Sequence, residues 1–340
     1  MTAAPRIAVV VVAAVACKDP PAQQAPRDAG VRDAAVLDAS ASEPAVQRGP
    51  PRVIVMEEPP IVLPRQESFR LLDAGKGARS VLRYTLAAGD TAVIAHTTLS
   101  SRHLDNGAFT TPTALPAIRD GFTVTAAGAS RGRLAMHAVP GQAAAQTREA
   151  EAYLAAGRAL QDRAITLEVD ERGAITAFHF DDDPDAAHSA PARDELAQRL
   201  LTLIVPVPVE AVGLGASWRV VTILRQGLTA AKQTATYTLT ARAAKRWKLH
   251  VKLQRVAENQ PIIDPKLPTG ATAELVALFR VLEGDIEIDP RLPLVAGGAL
   301  AIESRVHARI QLPRPTGATQ VPPTEQMFED IGRVRFSREP

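Results

Sequence analysis

Seven histidines, a run of aspartates and a single cysteine are the residues that first invite a chemical reading. The histidines are His96, His103, His137, His179, His188, His250 and His307, and no two stand at the spacing of an H-E-x-x-H zinc helix. His250 and His307 fall on the polar phase of alternating stretches, the solvent side of a strand. Asp181-Asp182-Asp183-Pro184-Asp185 offers the hard oxygen ligands that calcium favours. It lacks the alternating ligand order and closing glutamate of an EF-hand loop, and reads as a solvated loop. Ala74-Gly75-Lys76-Gly77 lacks the spacing of a phosphate loop. Gly213-Leu214-Gly215-Ala216-Ser217 lacks the G-x-S-x-G order of a nucleophile elbow and precedes a strand, so it reads as a turn. No catalytic set, metal-ligand set or cofactor motif emerges.

The cysteine is different, because its position is specific. Ile7 to Ala16 is an uninterrupted apolar run behind Arg6. Such a run covers about 15 Å as a helix, too short for a bilayer core of about 30 Å but suited to the apolar region of a secretory signal. It ends at Ala14-Val15-Ala16-Cys17. This tetrapeptide resembles the lipobox of bacterial lipoproteins, with Ala14 where leucine is usual. The resemblance implies cleavage between Ala16 and Cys17 and acylation of Cys17. The same residues also form an A-x-A site for ordinary signal peptidase, which would release a soluble product. Two or more acyl chains hold a protein firmly at a membrane, whereas one gives marginal binding.

From Cys17 to Pro64 the composition shifts to Ala, Pro, Asp, Gln and Ser. Such a segment buries too little apolar surface to offset its ordering entropy, and it reads as a disordered tether. Within it, Val53-Ile54-Val55-Met56 and Ile61-Val62-Leu63 are short apolar runs, readable as edge strands on the body. The body is expected over 65–312, with two halves at 80–190 and 206–312, and residues 313–340 are expected to form a C-terminal tail.

The body's pattern is that of antiparallel β-structure. Leu82, Tyr84 and Leu86 alternate with Arg83 and Thr85, and a strand follows from Thr91 to about Ser100. Ala235, Tyr237, Leu239 and Ala241 alternate with threonines. Trp247, Leu249, Val251 and Leu253 alternate with Lys248, His250, Lys252 and Gln254. Leu300, Ile302, Val306, Ala308, Ile310 and Leu312 share one face, opposite Glu303, Arg305, His307, Arg309 and Gln311. Asp170-Glu171-Arg172-Gly173 joins two short strands as a hairpin. Arg148–Leu160 and Pro191–Ile204 have helical character, the second with Leu196, Leu200, Leu203 and Ile204 on one face. A faint repeat pairs Gly89-Asp90-Thr91 with Gly215-Ala216-Ser217-Trp218, and Ile165–Asp170 with Gly284–Asp289. The fold class that follows is mainly β: an antiparallel open sheet, half-barrel or sandwich, built as two related meanders with one or two short helices.

The stretch Pro208 to Trp218, with the alternating Tyr84–Thr91 region, resembles an element of uncharacterised bacterial lipoproteins over roughly 80–312. That resemblance implies an extracytoplasmic β-rich body and carries no activity with it. A more distant analogy is the half-barrel of periplasmic lipoprotein carriers, which rests on fold class alone. The expected function is therefore a membrane-anchored envelope lipoprotein that binds a partner or an apolar ligand without catalysis. Its membrane lipid contact is made through acylated Cys17, and a ligand groove is placed at Trp218, Tyr237, Trp247 and Leu249. A structural envelope component, a soluble secreted carrier and a hydrolase with an unrecognised site are the alternatives. A formal net charge of +2, from 39 basic and 37 acidic residues, gives no electrostatic reason to expect nucleic acid.

Overall fold

A computed structural model describes residues 65–86, 90–105, 107–127, 132–147, 150–151, 154, 158, 164–180, 199–226, 229–243, 245–262, 267–313 and 322–339. The signal, Cys17, the tether with its two apolar runs, the aspartate run at 181–185 and residues 191–198 lie outside the described residues.

In chain order the strands are β1 (Arg65–Asp73), β2 (Lys76–Val81), β3 (Asp90–Asp105), β4 (Ala108–Phe109), β5 (Thr113–Ala114), β6 (Ile118–Ala127), β7 (Arg133–Ala143) and β8 (Ala164–Val169). There follow β9 (Ile175–Phe180), β10 (Ala211–Leu214), β11 (Ser217–Gln226), β12 (Thr229–Ala243), β13 (Arg246–Ile262), β14 (Thr272–Asp289), β15 (Leu292–Gln311) and β16 (Thr324–Glu339). One antiparallel sheet takes all but two of them, in the order β1-β11-β12-β13-β14-β15-β16-β3-β6-β7-β8-β9, with β4 and β5 on β3. β10 and β2 form a separate two-stranded sheet. β1 and β9 end the large sheet and do not pair with each other, so it stays open.

The order follows from local chemistry except at two seams, one of them β1 against β11 at the sheet's edge. β11 to β16 is a meander of successive antiparallel neighbours, and so is β3 to β9. What joins them is β16 against β3, in register from Phe328↔His103 to Glu339↔Ala92. The two expected halves therefore share one sheet.

Alternation gives that sheet one dry face. Val93, Phe122, Met136, Ile165, Trp218, Tyr237, Leu249, Ile286, Leu300 and Phe336, from both meanders, belong to a single buried cluster. Both flanks can meet the same core only if the sheet curls around it, as the right-handed twist of a wide antiparallel sheet favours. The other face is wet. Lys248 and Arg246 meet Glu287, Lys252 meets Glu283, and Arg309 meets both Glu325 and Glu274. These exposed pairs sit at directly opposed or neighbouring strand positions and each adds little to stability.

One end of the curl is closed. The Tyr84 amide donates to the Glu171 carbonyl, the Thr85 amide to Pro290, and the Val207 amide to Arg172. The Tyr84 hydroxyl donates to the Val205 carbonyl at 2.8 Å, and Trp218 Nε1 to Pro206 at 2.8 Å. Gly173, in the β8–β9 turn, makes this closure geometrically tolerable. Its φ is +77°, and a Cβ there would stand 2.9 Å from both the Tyr84 ring and the Val205 carbonyl. The segment Leu82–Leu86 is thus not a ladder strand, although its alternation is real: Leu82 and Tyr84 are buried and Thr85 is exposed. Its amides go one each to two different turns instead of to one neighbouring strand.

Helix is a minor component. Ala150, Glu151, Leu154 and Arg158 are helical, and Thr147 caps the start by accepting from the Ala150 amide at Oγ1. Arg199 to Leu203 is helical too, with Leu200 and Leu203 in the core and the Ile204 amide donating to the Leu200 carbonyl.

The expected tail requires correction. The body does not stop at Leu312, because β16 lies inside residues 313–340 and is an interior strand of the sheet, between β15 and β3. Its inward phase is Phe328, Asp330, Gly332, Val334 and Phe336, and the polar and small residues in that phase hide the alternation.

Candidate functional site

The four residues assigned to a ligand groove lie together, and their surroundings are protein. Trp218 and Leu249 are completely buried, and Tyr237 and Trp247 nearly so. Trp218 stacks on Tyr237 with ring centroids 5.7 Å apart, and Trp247 contacts Tyr84 at 5.4 Å. Burial raises the Tyr237 phenol well above its ordinary value, and raises Tyr84 as well with Tyr237 adding to it. Both phenols stay neutral at any physiological pH. The aromatic quartet forms the packed floor of the closed end.

Moving along the same face away from the closed end, the core is interrupted by one transverse row of polar residues. Thr222 (β11) opposes Gln233 (β12), Gln233 opposes Arg255 (β13), and Arg255 opposes Arg280 (β14). Arg280 opposes Ser304 (β15), Ser304 opposes Asp330 (β16), and Asp330 opposes Ser101 (β3). All but Ser101 are buried. Arg255 Nη2 donates to Gln233 Oε1 at 2.8 Å, Arg280 Nε to Ser304 Oγ at 3.3 Å, and Ser101 Oγ to Asp330 Oδ1 at 2.6 Å. On one side of the row stand Leu253, Leu282 and Ile302; on the other stand Ala257, Leu278, Val306 and Phe328. Two guanidiniums on an otherwise apolar face can grip an anionic group or fix strand register, since a shifted ladder would set them against leucines.

A buried ion pair fastens the helical turn. Arg199 Nη1 meets Asp120 Oδ2 on β6 at 2.8 Å, with both side chains almost fully enclosed. This links the segment that covers the core to the sheet beneath it.

On the wet face many titratable groups are paired with one another across strands. His250 lies 3.0 Å from Asp285 and 3.6 Å from Glu283, and His307 lies 2.5 Å from Glu325. A hydrogen bond from Lys252 lowers the Glu283 carboxyl, with His250 adding to it. A hydrogen bond from Arg309 lowers Glu325, with His307 adding to it. Asp289, at the β14–β15 turn, is pushed up by burial, but Arg291 and Arg338 outweigh this and hold it below its ordinary value. Among the described residues no group of three or more His, Cys, Asp or Glu side chains is placed to hold a metal ion. Gly213–Ser217 is a turn, with Gly215 at φ +80° and the Ala216 amide donating to the Gly213 carbonyl. Ala74–Gly77 links β1 to β2, with Gly75 and Gly77 both at φ +75°.

The polar row escaped the sequence reading, yet a signal was present. Gln233, Arg255 and Ser304 each continue the buried phase of a strand whose alternation was otherwise clear. A charged residue in the dry phase is the mark of such a row, and it becomes informative only when neighbouring strands place theirs beside it. The chain matches no family model, and no curated protein is similar enough to count as a relative.

Proposed function

We propose that this chain is an exported lipoprotein of the bacterial cell envelope, cleaved before Cys17 and acylated there, whose β-rich body binds a partner or an apolar ligand without catalysing a reaction. The observation that carries the reading is the position of the one cysteine in 340 residues, directly behind the Ile7–Ala16 apolar run at Ala14-Val15-Ala16. The body supports the non-catalytic part. Its histidines at 250 and 307 are engaged in cross-strand pairs with carboxylates, and its aromatic quartet is committed to packing. A ligand would be held elsewhere than on Trp218, Tyr237 and Leu249, whereas Trp247 also edges an open cleft beside Arg242. Binding folds of this kind take their chemistry from the site they carry and not from the sheet itself.

The test is the intact mass of the mature protein recovered from native membranes, beside a Cys17→Ser variant. The expected mass is that of a chain beginning at Cys17 plus acyl groups, with the increment absent from the variant. An unmodified mature chain in the soluble fraction would overturn the anchor and leave a freely diffusing export product.

A further inference from the structure

The exposed aliphatic side chains are not scattered. Among the described residues the large hydrophobic side chains that stand out are Leu72, Val81, Val209, Leu214 and Ile331. The first four lie on the small β2–β10 sheet or next to it in the chain, Val81 and Leu214 at its two ends. Val81 pairs with Ala211 and Leu214 with Lys76, Leu72 precedes the turn into β2, and Val209 precedes β10. They are 41, 44, 51 and 53% exposed for Leu72, Val81, Val209 and Leu214. A cluster of this kind on a folded surface marks a contact.

The charges around the cluster say what kind of contact. Lys76 and Arg79 lie on β2, Arg242 at the end of β12, and Lys245 in the turn after it. Among the described residues none of these four cations has a carboxylate within ion-pair distance. Arg79 Nη2 donates to the Gly75 carbonyl at 3.0 Å, and Arg242 reaches the Ser80 carbonyl at 3.3 Å. Lys248, Lys252, Arg305 and Arg309, farther along the wet face, do meet acids. Between β2 and the end of β12 lies an open cleft of about 510 Å³ whose lining includes Ser80, Val81, Arg83, Arg242, Trp247 and Pro290. Arg83 itself is occupied by Glu171 and the Leu82 and Pro208 carbonyls, so Arg242 is the cation facing the cleft with capacity to spare. Two acids are nearby. Asp73 accepts from the Gly75 amide, and Glu210 neighbours Val209.

We propose that the closed end docks on an anionic lipid surface. Leu72, Val81, Val209 and Leu214 enter the headgroup boundary, Lys76, Arg79 and Lys245 lie against the negative surface, and a lipid phosphate occupies the cleft beside Arg242. Aliphatic tips ringed by unpaired cations match such a surface in both respects: apolar area inserts, and cations are attracted by the surface potential. An acidic protein would satisfy the cations but would leave four separate aliphatic tips without a shaped pocket. The proposal does not depend on acylation of Cys17.

The test uses the full chain carrying Cys17→Ser, so that no acyl group contributes. Cosedimentation is measured with vesicles of pure phosphatidylcholine and of phosphatidylcholine mixed equally with phosphatidylglycerol. Two variants are compared with this parent: Lys76→Gln/Arg79→Gln/Arg242→Gln, and Val81→Ser/Leu214→Ser. The N-terminal apolar run is common to all three, so differences among them report the closed end. All the altered side chains are exposed, and an unchanged urea midpoint verifies that each variant is folded. The expected result is binding to the mixed vesicles well above that to phosphatidylcholine. The charge variant should lose roughly a hundredfold in partitioning, at about fivefold per cation, and the aliphatic variant should also lose affinity. Equal binding to both vesicles, binding unaffected by either variant, or no binding to the mixed vesicles would each overturn the proposal.

Discussion

At the scale of single residues, the acid groups make a directional prediction. Glu283, Glu325 and Asp289 all have carboxyls held below their ordinary values of 4.5, 4.5 and 3.8, by Lys252, by Arg309 and by the Arg291–Arg338 pair respectively. A carboxylate depressed in the folded state contributes stability that is complete above its unfolded pKa and is lost as pH falls through the folded value. The stability of the body is therefore expected to hold from neutrality down to about pH 4.5 and to decline below it. Of the three, Asp289 is the enclosed one, tying the β14–β15 turn to Arg338 on β16. Asp289→Asn should lower stability at neutral pH by about 1–3 kcal/mol and make the acid decline shallower. Urea midpoints followed across this range, for parent and variant, check both statements. Parallel curves would mean that Asp289 does not carry this share. Glu283 and Glu325 are far more exposed, and solvent screening keeps their share small.

At the scale of elements, the polar row and the hidden strand teach the same lesson. The strands legible in the sequence are those whose dry phase is uniformly apolar, such as the Ala235–Ala241 and Trp247–Leu253 stretches, and the Asp170–Gly173 hairpin is readable from its turn chemistry. The hairpin is closed as that chemistry demands, with the Asp170 amide donating to Ala174 and the Gly173 amide to Asp170. β16 escaped because Asp330 and Gly332 interrupt its inward phase, and their compatibility with the core is decided on the flanking strands, by Ser304 and Ser101 for Asp330 and by Ile302 and Leu99 for Gly332. Pairing between residues about 230 positions apart leaves no local trace. The candidate groove failed to be visible as core for the converse reason: period-two alternation says which face is dry but not what covers it. The row itself makes a testable statement. Arg255 and Arg280 are both buried and directly opposed, an arrangement costly in desolvation and repulsion. If they serve register more than stability, Arg255→Met/Arg280→Met should leave the urea midpoint unchanged or raise it, by up to about 1–4 kcal/mol. A loss of similar size would instead assign them a net stabilising role.

At the scale of the whole molecule, β16 determines whether there is one sheet or two fragments. It joins Gly297–Ile310 of β15 on one edge and Ala92–His103 of β3 on the other. Ending the chain at Pro323 would expose both of those edges and uncover Leu300, Ile302, Val93 and Ala95 beside the vacated place. The expected outcome is loss of cooperative unfolding and association of the product, seen as a sloping denaturation curve and a broad sedimentation profile. A truncated protein that still unfolded in one sharp transition would show that the β11–β15 meander and the β3–β9 meander are each self-sufficient. The closed end would then owe nothing to the seam, although Arg338 of β16 reaches it through Asp289.

The seam also imposes a schedule. β3 leaves the ribosome early and waits for a neighbour that is made more than 200 residues later. Until then the early meander has no second wall for its apolar side chains, and loop closure over so long a separation is slow. This order of assembly keeps the chain from completing its sheet until the last strand is made. It also makes incompleteness conspicuous. A stalled or clipped product presents two raw strand margins at once, the kind of surface that proteases and chaperones act upon. Completion of the sheet thus certifies that synthesis has run through residue 339.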